Sequence, residues 1–164
     1  MNTMQFNSTG KLVIENVSGK QVIFRNFQGK PKQYNQEGER NFCVILDDID
    51  FAKQLKNDGW TVTIREATEE FDKPRAHLKV KVRFDNIPPV VHLVTSNSNI
   101  LLDEEAIGML DWAEIVNVDM VINPSSYSNP SRSGIAAYLR SMYVTIEEDP
   151  FEAKYAKRDD DIPF

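Results

Sequence analysis

Three cations stand two residues apart in the segment HLKVKVRF, His77 to Phe84: Lys79, Lys81 and Arg83. Successive residues of a β-strand point to opposite sides, so these three share one face while Leu78, Val80, Val82 and Phe84 share the other. Along that face the spacing is about 6.5 to 7 Å, close to the separation of successive phosphates on an extended single strand. The row suits the tracking of a polyanion, although a solvated strand face shows the same alternation. Sequence-tolerant capture of unpaired bases also needs flat rings on which they can stack. Segments rich in Gly, Ser, Asn and Pro supply rings and cations together: Lys30, Lys32 and Tyr34 in QGKPKQYNQEGE, and Tyr127 and Arg132 in NPSSYSNPSRSG. Arg25 shares a strand face with Phe27, and Tyr138 with Arg140, which extends the same candidate surface. Phe24, Phe42, Trp60, Phe84, Trp112 and Tyr143 are assigned to the core.

Catalysis is the main rival chemistry. Asp47, Asp48 and Asp50, or Asp103, Glu104 and Glu105, have the composition of a metal-dependent nuclease site. Each cluster also begins an expected helix, where acids complement the helix dipole. The chain has no phosphate-cradling glycine loop, no G-x-S-x-G and no H-E-x-x-H, so no enzymatic activity is expected. Cys43, His77 and His92 make no zinc-binding set, and neither a metal nor another cofactor is expected. A lone cysteine forms no internal disulfide, which suits a reducing cytoplasm.

Short β-type runs must position these residues. Lys11 to Val17 and Gln21 to Phe27 read as a hairpin turning at Ser18-Gly19. The polar stretch from Gln28 to Glu39 reads as a long mobile arm, leading into a strand at Arg40 to Leu46. Ile49, Ala52 and Leu55 recur at helical spacing, with acids before them and Gly59 after. Strands are then expected at Trp60 to Glu66, His77 to Phe84 and Val90 to Thr95. A last hairpin joins Ala113 to Ile122 with Ile135 to Ile146 through the loop 123–134, and order fades from Asp149. Strands, one short helix after the third, then further strands is the element order of an oligonucleotide-binding (OB) barrel with additional strands, and also of other barrels and sandwiches with one helix.

Size and charge set the outer limits. The chain has 164 residues, 27% of them charged and 41% hydrophobic, which fits one globular domain at 1–148 and an acidic tail at 149–164. The net charge of -6 argues against a nucleic-acid ligand until its distribution is considered. Residues 147–164 hold seven acids against three bases, which accounts for four of the six net charges. Residues 73–83 hold five bases and no acid, and residues 103–119 six acids and no base. The opening MNTMQFNSTG lacks a basic region followed by an apolar core, so no secretory leader is expected. The charge-free stretch 86–102 is broken by Pro88-Pro89, so no membrane span is expected either.

The final residues, Asp159-Asp160-Asp161-Ile162-Pro163-Phe164, resemble the terminal hexapeptide of bacterial single-stranded DNA-binding proteins, where it is the docking tip for replication and repair enzymes. An acidic solubilising tail accounts for the aspartates but not for an exposed Ile-Pro-Phe ending. The long Gly, Pro and Gln-rich linker of the bacterial proteins is missing. The body is instead similar to the single-stranded DNA-binding proteins of bacteriophages, in GIAAYLRSMYVTIEEDPFEAKYA at 134–156 and ERNFCVILDD at 39–48. The resemblance implies an OB barrel, no catalysis, and service in DNA replication, recombination or repair in the cytoplasm of a bacterial host. Single-stranded DNA and enzymes docked on the tail are the expected partners, and self-association is left open. An adaptor or annealing protein carrying the same tail is the remaining alternative.

Overall fold

The computed structural model describes residues 1–33 and 35–147. Ten strands and one α-helix follow in chain order: β1 (Thr3–Phe6), β2 (Leu12–Ser18), β3 (Val22–Asn26), β4 (Arg40–Leu46), α1 (Ile49–Asn57), β5 (Val62–Arg65), β6 (Arg75–Val82), β7 (Val90–Val94), β8 (Asn99–Leu102), β9 (Ile115–Ser128) and β10 (Ser133–Ile146). Short 3-10 turns occupy Gly19–Gln21 and Ile107–Asp111. The strands form one open, largely antiparallel sheet in the order β1-β2-β9-β10-β6-β4-β3, with β5 on β6 and the β7–β8 hairpin on β10. The expected mainly β architecture is observed, and the helix follows the Arg40–Leu46 strand, which is the fourth rather than the third because β1 precedes the expected strands.

β10 organises the sheet. It is antiparallel to β9 along its whole length, while its other edge runs parallel first to β6 at Ala137 and Tyr138, then to β7 from Ser141 to Thr145. A register shift between Leu139 and Ser141 marks the handover. The extra residue, Arg140, bends the strand and reverses the phase of its side chains, so that Leu139 and Met142 both face inward.

Strict alternation builds the core. Leu12, Ile14, Phe42, Val44, Leu78, Val80, Met120, Ile122 and Val144 are fully buried on one face of their strands. Helix α1 closes this face with Ala52 and Leu55, and Leu55 alone contributes roughly 1.5 to 3 kcal/mol of burial. Its start is fixed by Asp48, whose side chain accepts from the Phe51 N–H at 3.0 Å, a cap worth about 1 kcal/mol.

Three sequence expectations are corrected. First, β2 and β3 are strands but not a hairpin: β2 pairs with β1 and β9, and β3 with β4. The turn between them is pulled away because Gln21 donates to Asp47 at 2.9 Å, and Gly19 admits the Ile115 carbonyl where a Cβ would lie 2.0 Å from its oxygen. Second, the arm before β4 is tied down. Asn26 exchanges hydrogen bonds with the Lys30 backbone, the Asn35 amide donates to Lys30 and Glu39 carbonyls, and Gly38 N–H donates to Gly29 C=O. Third, residues 123–134 are mostly strand, leaving only 129–132 as the turn. Pro124 is tolerated because β2 stops at Leu12 opposite Ile122, so the proline lies on a free edge. Residues 148–164, where the fading of order and the acidic tail are expected, lie outside the described residues.

Candidate nucleic-acid interface

The β6 strand delivers the alternation its sequence promises. Lys79, Lys81 and Arg83 are exposed, whereas Leu78, Val80 and Val82 are buried. Phe84, expected in the core, lies just past the strand end, half-buried, with the Arg40 guanidinium 5.8 Å from its ring centroid. Cross-strand partners share a face, so Asn41, Lys81, Tyr138 and Asn123 form one row across β4, β6, β10 and β9. The adjacent row places Cys43 beside Lys79, and the next places Ile45 and Thr63 on either side of His77.

A cleft of about 540 Å³ on this face is lined by Lys79, Lys81, Arg83, Tyr138, Arg40 and Asn41, among others. Arg83 and Tyr138 also line a second cleft of about 330 Å³ with Asn86, Ile87 and Pro124. Arg40 and Glu104 also line a third, about 690 Å³, with Lys30, Met109 and Trp112. The first cleft thus shares lining residues with each of the other two. Cations stand on the strand floor, and the acids Glu37, Glu39, Asp85 and Glu104 come from the bordering loops.

Two ion pairs cross this boundary. Arg83 grips Asp85 with Nε to Oδ1 at 3.1 Å and an Nη to Oδ2 at 2.7 Å. That bidentate bond, with a contribution from Tyr138, raises the arginine pKa, and it lowers that of the aspartate. Arg40 meets Glu104 at 3.4 Å, while its Nε is buried with no hydrogen-bond acceptor among the described residues. A buried donor left open in a cleft wall is suited to an anionic ligand.

The remaining sequence candidates divide. Lys30 is exposed at the third cleft. Lys32 is exposed on the β3–β4 loop, where its backbone bridges Asn35. Tyr34 lies outside the described residues. Phe27 is 1% exposed and stacks on Phe42 at 5.0 Å, so it offers no ring to a ligand. Arg25 is spent on the fold: its guanidinium donates to the carbonyls of Val22, Gly19, Leu110 and Ala113 at 2.9 to 3.2 Å. Burial lowers its pKa, against the nearby charges of Asp111 and Glu114. Arg140 is the extra residue of the bulge that follows Leu139, and it lines none of the three clefts. Tyr127 and Arg132 face one another at the β9–β10 tip, 6.0 Å apart, with the tyrosine hydroxyl over Gly134.

Three rings assigned to the core are on the surface. Trp112 is 64% exposed at the third cleft, and its acidic neighbours Asp111 and Glu114 were the available signal. Tyr143 projects outward because the Arg140 bulge shifts the phase, and it stacks on His92. Phe24 is 67% exposed and meets His77 edge-on at 5.8 Å. Its φ of 51° is a left-handed conformation that bulky residues seldom adopt, at a bulge between Ile23 and Asn26 that ordinary alternation does not foresee. From His77 to Arg83 the face runs about 20 Å, long enough for roughly three extended nucleotides.

Three of the six acids weighed as a nuclease site serve the fold. Asp47 accepts from the Asn2 N–H and Gln21, Asp48 caps α1, and Asp103 accepts from the Ala106 N–H. Among the described residues no three His, Cys, Asp or Glu side chains gather in a metal-holding group. No helix among them is long and apolar enough to cross a membrane.

Residues 4–164 match the family model described as "Putative phage ssDNA-binding domain". No curated protein matches the chain. Among solved structures, the fold is similar to that of a single-stranded DNA-binding protein from bacteriophage Enc34, with a TM-score of 0.53 and 13% identity over 92% of this chain and 93% of that one. A second structure of the phage protein, in complex with ssDNA, gives a TM-score of 0.52 and 16% identity over 88% of this chain and 90% of that one. At such identities the likeness is one of fold.

Proposed function

Because the chain belongs to the phage ssDNA-binding domain family, we propose that it coats single-stranded DNA without regard to sequence, along the neighbouring clefts on the outer face of β6. The observation that carries this reading is the gathering of Lys79, Lys81 and Arg83 with Tyr138 in one cleft, cations at phosphate spacing beside a ring. The open sheet and its helix are a variant OB barrel, with β7, β8 and the β9–β10 ribbon as additions. Binding, not catalysis, is the activity, and DNA replication, recombination or repair in the host cytoplasm is its setting.

The second half of the reading concerns residues 159–164. Burying Phe164 contributes roughly 1.5 to 3 kcal/mol, and pairing its carboxylate with a basic side chain a similar amount, so a single tip docks weakly. Many copies on one strand raise the local concentration of tips and recruit replication and repair enzymes. The acidic segment also competes for the cationic cleft, so its removal tightens DNA binding while abolishing recruitment.

Fluorescence titration with oligo(dT) across a salt series tests the binding. Tight binding in dilute buffer that falls steeply with salt is expected, as is its loss on combined charge reversal at Lys79, Lys81 and Arg83. Strand binding that survives the reversal makes the row incidental. Shortening of a labelled strand with magnesium would move the protein to the nucleases.

A further inference from the structure

Four strands, β1, β3, β5 and β8, each pair on one side only among the described residues. Among the described residues β8 pairs only with β7, and its sequence, Asn99-Ile100-Leu101-Leu102, carries no charge. Soluble proteins guard such edges with lysine, proline or a bulge, because unpaired backbone groups recruit other strands. None of these guards is present. Ile100 is 51% and Leu101 66% exposed. Leu101 lies in one row with His92 and Tyr143, whose stacked rings, 4.2 Å apart, carry the apolar surface inward from the edge.

The direction of the free backbone groups follows from the hairpin. Thr95 N–H donates to Ser98 C=O at 2.9 Å, which makes that pair a hydrogen-bonded one. Antiparallel ladders alternate, so Ile100 and Leu102 bond towards β7, and Asn99 and Leu101 turn their N–H and C=O groups to the open side.

We propose that β8 is a dimerisation edge, joining two copies of this chain antiparallel about a two-fold axis through Ile100. In that register Asn99 of each copy exchanges hydrogen bonds with Leu101 of the other. The two Ile100 residues meet as a close pair, with Cα atoms about 4.5 Å apart. The charges are compatible: Asp103 falls opposite Asn97 and Glu104 opposite Ser96, so no acid faces an acid. A two-fold pairs the β8 edge with itself and so closes the assembly at that edge. No β8 residue lines the three clefts, so the dimer stands or falls independently of DNA binding.

Sedimentation equilibrium of the full chain tests it, with an expected mass twice the 18.8 kDa of one chain. Leu101→Pro removes the outward N–H and spares the β7 ladder, so it should weaken association by about tenfold or more. Ile100→Cys should give a disulfide-linked dimer on oxidation, because Cα atoms about 4.5 Å apart are within bonding reach. Ser131→Cys, on the β9–β10 tip, is the control. A monomer at all concentrations overturns the proposal, including one whose edge is covered by its own residues 148–164. So does a dimer indifferent to Leu101→Pro, or Ile100→Cys cross-linking no faster than the control.

Discussion

Lys81 Nζ stands 5.8 Å from the centre of the Tyr138 ring, where β6 and β10 run side by side in parallel. The pair unites the two contacts that an unpaired strand needs, a phosphate partner and a stacking surface. Base stacking on a ring is worth about 1 to 3 kcal/mol by alanine substitution, so Tyr138→Ala should weaken oligo(dT) binding roughly 5- to 150-fold. Tyr138→Phe keeps the ring and should bind nearly as well. Equal losses in both variants would shift the role from the ring to the hydroxyl.

Asp85 holds the guanidinium that the cleft would present to a phosphate. Both groups are solvent-exposed, so a strand has only a weak pair to displace. Asp85→Asn should tighten binding about two- to fivefold at low salt. It should also steepen the salt dependence by up to about 0.7 in the logarithmic slope, the value for one more phosphate contact on a single strand. Binding that weakens instead would make Asp85 the device that orients Arg83.

How much of this was legible depended on whether local pattern or distant chain decided the outcome. β4 spans Arg40–Leu46 and α1 begins after Asp48 as expected, because alternation and capping are properties of adjacent residues. The β6 row was readable for the same reason. Phe24 was misplaced because one left-handed residue at a bulge turns its ring outward while Val22, two positions earlier, stays buried. Arg25 was misassigned because two of its acceptors, Leu110 and Ala113, lie 85 and 88 residues away. Nothing near position 25 signals them. The cleft walls have the same origin: Glu104 reaches Arg40 across 64 residues.

Arg25 links β3 to the Gly19 turn and to the segment before β9, where no ladder joins them. Arg25→Ala removes four hydrogen bonds from a charged donor, for a loss of roughly 2 to 4 kcal/mol. In a domain of this size the melting temperature should fall by about 5 to 15 °C. Arg25→Lys should rescue little, since one ammonium cannot span four carbonyls. DNA affinity of the folded fraction should stay within about twofold, as expected for a group already satisfied by backbone. A variant that melts normally but binds DNA poorly would restore Arg25 to the interface.

His77 continues the cation row two residues before Lys79, beneath the Phe24 ring. Burial, and to a lesser extent the Arg65 charge, lowers its pKa from the ordinary histidine value of 6.5. The unfolded chain therefore takes up this proton at a higher pH than the folded one, and stability falls as pH drops through about 6.5 until the folded group also protonates. DNA binding has the opposite sign, because phosphate favours the imidazolium. Oligo(dT) affinity should rise between pH 7.5 and 5.5 while the melting temperature falls, and His77→Gln should flatten both trends. Parallel profiles for the two proteins would assign the pH response elsewhere.

Cys43 faces Lys79 across the β4–β6 ladder and is almost wholly covered. Burial pushes its thiol up to about 11, and the Lys79 charge only partly opposes the shift. At pH 8 the thiolate is scarce. The greater nucleophilicity of a high-pKa thiolate recovers part of the deficit, so alkylation by iodoacetamide should run about tenfold or more below that of a free thiol. Lys79→Ala removes the opposing charge and should slow the reaction further, whereas guanidinium should restore the ordinary rate. Oligo(dT) laid over Lys79 should also slow labelling if the strand follows the β6 floor. Rapid modification of the native protein, unchanged by DNA, would mean that the β4–β6 ladder opens at this point and that the floor is not the continuous surface the cation row requires.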